Sequence, residues 1–319
     1  MALSDPYHVY LEVPVAGGTL RVARAGLPPE EADRVVLAVH GITSSLMAWR
    51  TLARDLTGRL DVCLLAPDLR GRGGSARLPG PYGFAAHTAD LLAVLDHACV
   101  ERAVLVGHSM GAYAIARFAA DHPERAAAVV LVDGGMPYAD APDGDPDAVV
   151  EQVAAPLTER LHKTFASVDE YADYWAVHPA FRYAWDDDVE AYARYDVDGE
   201  LGSMRSVVSE PGVRIDLREF LFDEATRMAL DRVRAPIHVV RAARGLFDEP
   251  DKPLIAADFL SDFAAKRLDA SVECVPKANH YTIVLGTGDG PLVVAGAIER
   301  ALHQTGSEVD CNAAIERSV

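Results

Sequence analysis

The residues best placed to do chemistry are Gly107-His108-Ser109-Met110-Gly111, a G-x-S-x-G pattern. The apolar run Ala103-Val104-Leu105-Val106 precedes it, and an alanine-rich run with Ile115 and Phe118 at helical spacing follows. Strand, tight turn and helix form the setting in which such a serine sits at the tip of a strained turn, its Oγ exposed at the carboxyl edge of a sheet. Gly107 and Gly111 have no Cβ, so strand and helix can approach closely there. The start of the helix adds unpaired N–H groups and the positive end of its dipole, both of which favour negative charge.

A serine hydroxyl is a weak nucleophile and needs a base within hydrogen-bond reach, together with a group that orients the base. Of the eleven histidines, His40, His108 and His280 lie near a strand end or the serine. His108, beside Ser109, is expected to point away from Oγ, and His40 to fix its own loop. His280 follows the strand-like run 272–275 and the segment Pro276-Lys277-Ala278-Asn279, in a loop able to reach back over the turn, and is the expected base. Attack on a carbonyl builds an oxyanion, which needs at least two preset donors. The backbone N–H of Met110 at the helix start is one. The other is the N–H of Ile42 in His40-Gly41-Ile42-Thr43-Ser44-Ser45, which follows the apolar run 35–39.

The elements that must hold these groups are legible as an alternation. A hairpin is predicted over 7–13 and 19–24, and buried strands over 35–39, 62–66, 103–106, 129–132, 237–240 and 272–275. Helices are predicted over 46–58, 84–99, 110–121, 253–268 and 289–304. Continuous apolar strands of this kind are buried on both faces, and their alternation with helices gives a doubly wound, mainly parallel α/β sheet. The interval Gly134 to Pro236 breaks the alternation. It holds nine aromatics between Phe165 and Tyr195 and a capping-box pattern, Ser167-Val168-Asp169-Glu170. It reads as a helical insertion over the carboxyl edge of the sheet, with its aromatics divided between a small core of its own and a pocket wall. The expected organisation is a core of residues 1–133 and 236–306, a helical cap of 134–235 and a flexible tail of 307–319.

Net charge is −18 over 319 residues, which argues against nucleic acid and anionic membrane surfaces as partners. The four cysteines are scattered with no metal spacing, as in a reduced cytosol. The N-terminal segment lacks the pattern of a secretory signal. No apolar run approaches the ~18 residues of a membrane span. The chain is therefore expected to be cytoplasmic; the sequence leaves homo-oligomerisation open.

Taken together, His40-Gly41-Ile42 with Trp49 behind it, Pro67-Asp68-Leu69-Arg70-Gly71-Arg72-Gly73-Gly74-Ser75, Gly107 to Gly111, His122-Pro123-Glu124-Arg125 and Asn279-His280 resemble the α/β-hydrolase fold superfamily of esterases, lipases and epoxide hydrolases, in chain order over about residues 20–304. Members with this His-Gly loop that open epoxides or cleave haloalkanes use an aspartate nucleophile. Ser109 in that position implies acyl transfer through an acyl-enzyme, with no cofactor and no metal. The resemblance also offers two positions for the acid that orients His280. One is Asp133, at the end of the run 129–132; the other falls near Gly245, and the nearest acid there, Asp248, stands about three residues later. Asp133 is preferred because a strand end fixes its place. The expected function is hydrolysis of a carboxylic ester or lactone with a small, mostly apolar substrate. Amide or carbon–carbon bond hydrolysis, cofactor-free perhydrolysis and a catalytically weak ligand sensor are the alternatives on the same scaffold.

Overall fold

The computed structural model describes residues 5–137 and 141–306. The expected tail, 307–319, and the start of the Pro/Gly/Asp loop at Asp140 lie outside the described residues. The elements in order are β1 (Val9–Val15), β2 (Gly18–Gly26), β3 (Arg34–Val39), α1 (Arg50–Arg59), β4 (Val62–Pro67), α2 (Phe84–His97), β5 (Ala103–His108), α3 (Met110–Asp121) and β6 (Ala126–Val132). The insertion follows with α4 (Pro146–Thr158), α5 (Val168–Ala176), α6 (Asp187–Tyr195), β7 (Val197–Asp198), β8 (Arg205–Ser206), α7 (Glu210–Phe222) and α8 (Glu224–Arg227). β9 (Ile237–Ala242), α9 (Ala257–Lys266), β10 (Ala270–Val275) and α10 (Asp289–Gly306) complete the described chain.

One sheet of eight strands runs in the order β1-β2-β4-β3-β5-β6-β9-β10. β2 pairs antiparallel with β1 and β4, and every other pairing is parallel. Alternate residues of each strand enter opposite cores, as a period of two requires. Val104 and Val106 of β5 pack with Trp49, Leu52 and Ile298 on the α1 and α10 side. Ala103 and Leu105 pack with Ile115, Phe118 and Leu91 on the α2 and α3 side. Each such Leu, Val or Phe contributes ~1.5–3 kcal/mol on burial, which is why the strands read as unbroken apolar runs.

Among the described residues the insertion is helical, with only the two-residue ribbon β7–β8 and an isolated Phe165–Met204 bridge as β structure. The Ser167 hydroxyl accepts from the Glu170 N–H at 3.1 Å and so caps α5. The aromatics are apportioned differently from the expectation. Phe165, Tyr171, Trp175, Phe181 and Tyr192 are buried and continuous with the α1/α10 core. α4 and α7 build a separate aliphatic core from Val150, Ala154, Val213 and Leu217. The aromatic enrichment is thus mainly a packing device, since a layer of short helices needs large side chains to bury enough surface. Among the described residues no helix is long and apolar enough to cross a membrane, and Cys63, Cys99 and Cys274 are unpaired.

Candidate active site

β5 delivers Ser109 in the left-handed region, with φ 56° and ψ −121°. Its N–H donates to the Val132 carbonyl at 3.0 Å, and its own carbonyl accepts from Ala112 at 3.0 Å. Strand pairing on one side and the helix start on the other thus hold a backbone geometry that costs ~1–3 kcal/mol in isolation. Gly111 is required by packing: a Cβ there would lie 2.2 Å from the Val39 carbonyl oxygen. One at Gly134 would lie 2.4 Å from that of Ser109.

His280 lies in the loop after β10. Asn279 shapes that loop: its Oδ1 accepts from Tyr281 at 3.0 Å and Thr282 at 2.9 Å, while its Nδ2 donates to the Ala180 carbonyl at 2.8 Å. The His280 Nδ1 stands 2.7 Å from Asp133 Oδ2, both groups being buried. Asp133 Oδ1 accepts from the Ala242 N–H at 3.0 Å, and the Asp133 N–H donates to Val240 at 2.8 Å, so β9 anchors the acid at both ends. With Nδ1–H engaged by the carboxylate, Nε2 is the ring nitrogen that carries the lone pair.

Asp248 does not approach the imidazole bond. Its carboxylate takes Arg244 Nε at 2.6 Å and Asn279 Nδ2 at 3.1 Å, and it lines a different cleft with Lys277 and Tyr183. Burial, opposing its charge, is outweighed by Arg244 and Asn279, which hold its carboxyl below the ordinary value.

The other two histidines near the site serve the backbone. His40 Nε2 accepts from the Leu69 N–H at 3.0 Å, which leaves Nδ1–H to donate to the Gly41 carbonyl at 2.8 Å. Burial drives its pKa from 6.5 to about 3. His108 turns away from Oγ and places Nε2 2.8 Å from the His280 carbonyl, which can only accept. Burial, then the neighbouring His280, keeps its pKa well below the usual imidazole value.

The loop after β3 lies against the serine, a Cβ on Gly41 being 3.2 Å from Ser109 Cβ. In a trans peptide C=O and N–H point oppositely. The Gly41 carbonyl is held by His40 and by the Ser44 N–H at 3.2 Å, so the Ile42 N–H is turned the other way. The Met110 N–H, in the first turn of α3, has no intrahelical acceptor. Ser109, His280, Asp133, Ile42 and Met110 all line one cavity of about 380 Å³. Its walls are mainly apolar: Val153 and Leu157 from α4, Leu217 and Phe220 from α7, Leu254 and Ile255 after β9, with Tyr113 and Tyr281 beside them. Of the nine aromatics between Phe165 and Tyr195, Tyr192 alone lines it. Among the described residues that line it, Asp133 is the one carboxylate and there is no lysine or arginine.

Two groups escaped the sequence reading. The His108 contact with residue 280 spans 172 positions, and no local pattern announces it. Arg72 is likewise visible only as part of a loop motif, although it donates Nε to the Ile42 carbonyl at 2.9 Å.

Residues 34–173 match the family model described as alpha/beta hydrolase fold. The chain is 33% identical to Protein ABHD8 of Bos taurus over 111 residues, covering 34% of this chain and 26% of that protein. It is 30% identical to Epoxide hydrolase B of Mycobacterium tuberculosis over 211 residues, 63% of this chain and 56% of that one. The matches therefore span about a quarter of the first relative's length and just over half of the second's. Among solved structures, E-2-(acetamidomethylene)succinate hydrolase superposes with a TM-score of 0.72 at 23% identity, covering 92% of this chain and 99% of that one. The thioesterase domain from the curacin biosynthetic pathway gives 0.69 at 19% identity, covering 91% and 99%. The eight-stranded sheet, the serine turn between β5 and α3, and these likenesses agree: the chain has the α/β-hydrolase fold.

Proposed function

We propose that the protein is a cofactor-free serine hydrolase that cleaves a neutral carboxylic ester or lactone. The observation that carries this reading is the sharing of one apolar cavity by Ser109 and an imidazole bonded at 2.7 Å to Asp133. In the proposed cycle His280 Nε2 takes the Ser109 proton as Oγ bonds to the carbonyl carbon. The resulting oxyanion accepts from the N–H groups of Ile42 and Met110. Collapse breaks the carbon–oxygen bond to the leaving alcohol, which takes the proton from His280. Water, deprotonated by the same imidazole, then attacks the acyl-enzyme, releasing the acid and restoring Ser109.

The nucleophile argues against an epoxide as substrate despite the likeness to Epoxide hydrolase B. A serine alkoxide opening an epoxide gives an ether, which water does not cleave, whereas attack on an ester gives a second ester, which it does. The cavity supports a neutral substrate. A succinate-type dianion, as in the name of one structural neighbour, would meet no lysine or arginine among the described residues of this lining. The apolar walls suit an aliphatic acyl or alcohol part. The insertion is proposed to act as a cap through α4 and α7.

The test is fluorophosphonate labelling read by mass spectrometry, with p-nitrophenyl acetate and butyrate turnover by wild type and Ser109→Ala. A Ser109 adduct and turnover lost in Ser109→Ala are expected. An unlabelled, inactive wild type would sink the proposal in favour of a ligand-binding role on the same fold.

A further inference from the structure

The loop that carries the Ile42 N–H is held by more than its own turn. The Ile42 carbonyl accepts from Arg72 Nε at 2.9 Å, and the Thr43 carbonyl from Arg160 Nη2 at 2.7 Å. Both guanidinium groups are buried, and each has its counter-charge on the insertion. Arg72 Nη2 meets Asp216 of α7 at 2.5 Å; the other oxygen of that carboxylate takes His87 Nε2 at 3.0 Å and the Gly83 N–H at 2.9 Å. Arg160, itself in the insertion, meets Asp196 at 2.7 Å, together with Ser206 and Tyr171. A buried guanidinium whose carboxylate is removed is left as an uncompensated charge, which is strongly destabilising; among the described residues Arg72 then keeps only the Arg70 and Ile42 carbonyls as partners. Among the described residues, both side-chain donors to the carbonyls of residues 42 and 43 are therefore paired with carboxylates of the helical layer that also walls the cavity.

We infer that Arg72–Asp216 and Arg160–Asp196 are positioning pairs through which the seated insertion sets the oxyanion loop, so that closing the cavity and completing the oxyanion site are one event. The catalytic part of this inference rests on the serine-hydrolase reading; the structural part does not. A third buried link supplies an internal comparison. Asp188 of α6 is clasped by Arg50 Nε at 3.1 Å, Arg54 at 2.8 Å and Thr51 at 2.7 Å. It ties the insertion to α1 with the same chemistry, and none of these partners belongs to the loop 40–45.

The experiment compares Asp216→Asn, Arg72→Lys and Asp188→Asn in the full chain. Arg72→Lys keeps the charge opposite Asp216 but has no Nε–H for Ile42, so it separates the loop contact from folding. Three readouts are taken: kcat and KM on p-nitrophenyl butyrate, inhibition by 1-butaneboronic acid, and amide hydrogen exchange of the peptide covering residues 40–45. Asp216→Asn and Arg72→Lys should lose roughly tenfold to hundredfold in kcat at nearly unchanged KM, short of the ~10²–10³ for deleting an oxyanion donor outright. They should weaken boronate binding in step and speed exchange in 40–45. Asp188→Asn should melt lower yet keep kcat and the exchange rate of that peptide. Equal behaviour of Asp216→Asn and Asp188→Asn, or exchange in 40–45 unchanged by Arg72→Lys, would overturn the inference. A wild type without turnover or labelling would sink the hydrolase reading instead, and hydrogen exchange would still decide the structural part.

Discussion

His108 donates its Nε2 proton to the carbonyl of His280, 2.8 Å away, with the two rings 4.6 Å apart. The residue before the candidate nucleophile thereby holds the backbone of the candidate base, so the turn after β5 and the loop after β10 share one register.

Removing that donor should loosen the imidazole. An unmatched buried carbonyl costs ~1–3 kcal/mol, and where that strain is relieved by loop movement the rate bears it. His108→Leu should lower kcat by roughly tenfold or more, with KM little changed, and His108→Gln, which keeps an N–H, should recover part of the loss. Steady-state kinetics on a p-nitrophenyl ester checks this; a fully active His108→Leu would show the contact to be incidental.

Asp133 and Asp248 are separable by substitution. Asn at position 133 keeps the shape but presents the wrong partner to Nδ1–H, a change that costs ~10⁴ in rate in another triad enzyme. Asp133→Asn should lose most activity. Asp248→Asn disturbs the Arg244 and Asn279 contacts, beside His280 but off its ring, and should lose less than about tenfold. The comparison is made at equal folded fraction, judged by thermal melts, and the reverse ranking would reassign the acid.

Chain-length preference should follow the aliphatic wall and not the aromatic cluster. Val153 lines the cavity, whereas Phe181 is packed into the α1/α10 core. Val153→Phe should shift preference toward shorter acyl chains across a p-nitrophenyl ester series. Phe181→Leu should lower the melting temperature and leave the ranking of esters intact, and a changed ranking there would count against the cavity as described.

Much of this molecule was readable from the chain, for identifiable reasons. Strands buried on both faces announce themselves as apolar runs, and the turn around Ser109 demands glycines at fixed offsets. Asp133 was preferred because a strand end is a fixed address, and His280 bonds to it. The insertion was harder. Its aromatics satisfy core packing and pocket lining equally well in sequence, and the partition depends on how short helices seat against α1 and α10. The Arg72–Asp216 pair is separated by 144 positions, and arginine within a glycine-rich loop has many uses.

His40 gives the fold a specific acid sensitivity. Its pKa falls from 6.5 to about 3 in the folded chain, so between those values the unfolded chain binds a proton that the fold excludes. Stability from this group is complete above pH 6.5 and declines as pH falls toward 3, by ~1.4 kcal/mol per pH unit. Urea titrations between about pH 6 and 4 should therefore show a steeper loss for wild type than for His40→Gln, by about one proton. Parallel slopes would mean that the ring titrates alike in both states.

The buried pairs between core and insertion also bear on how such proteins diversify. Arg72 stands in the core with 0% exposure, and among the described residues its counter-ion is Asp216 of α7. An insertion borrowed from another protein of this fold, however well shaped for a new substrate, would strand that cation unless it brought a carboxylate to the place of Asp216. Chimeras of this scaffold should therefore be built with residue 72 exchanged alongside the graft.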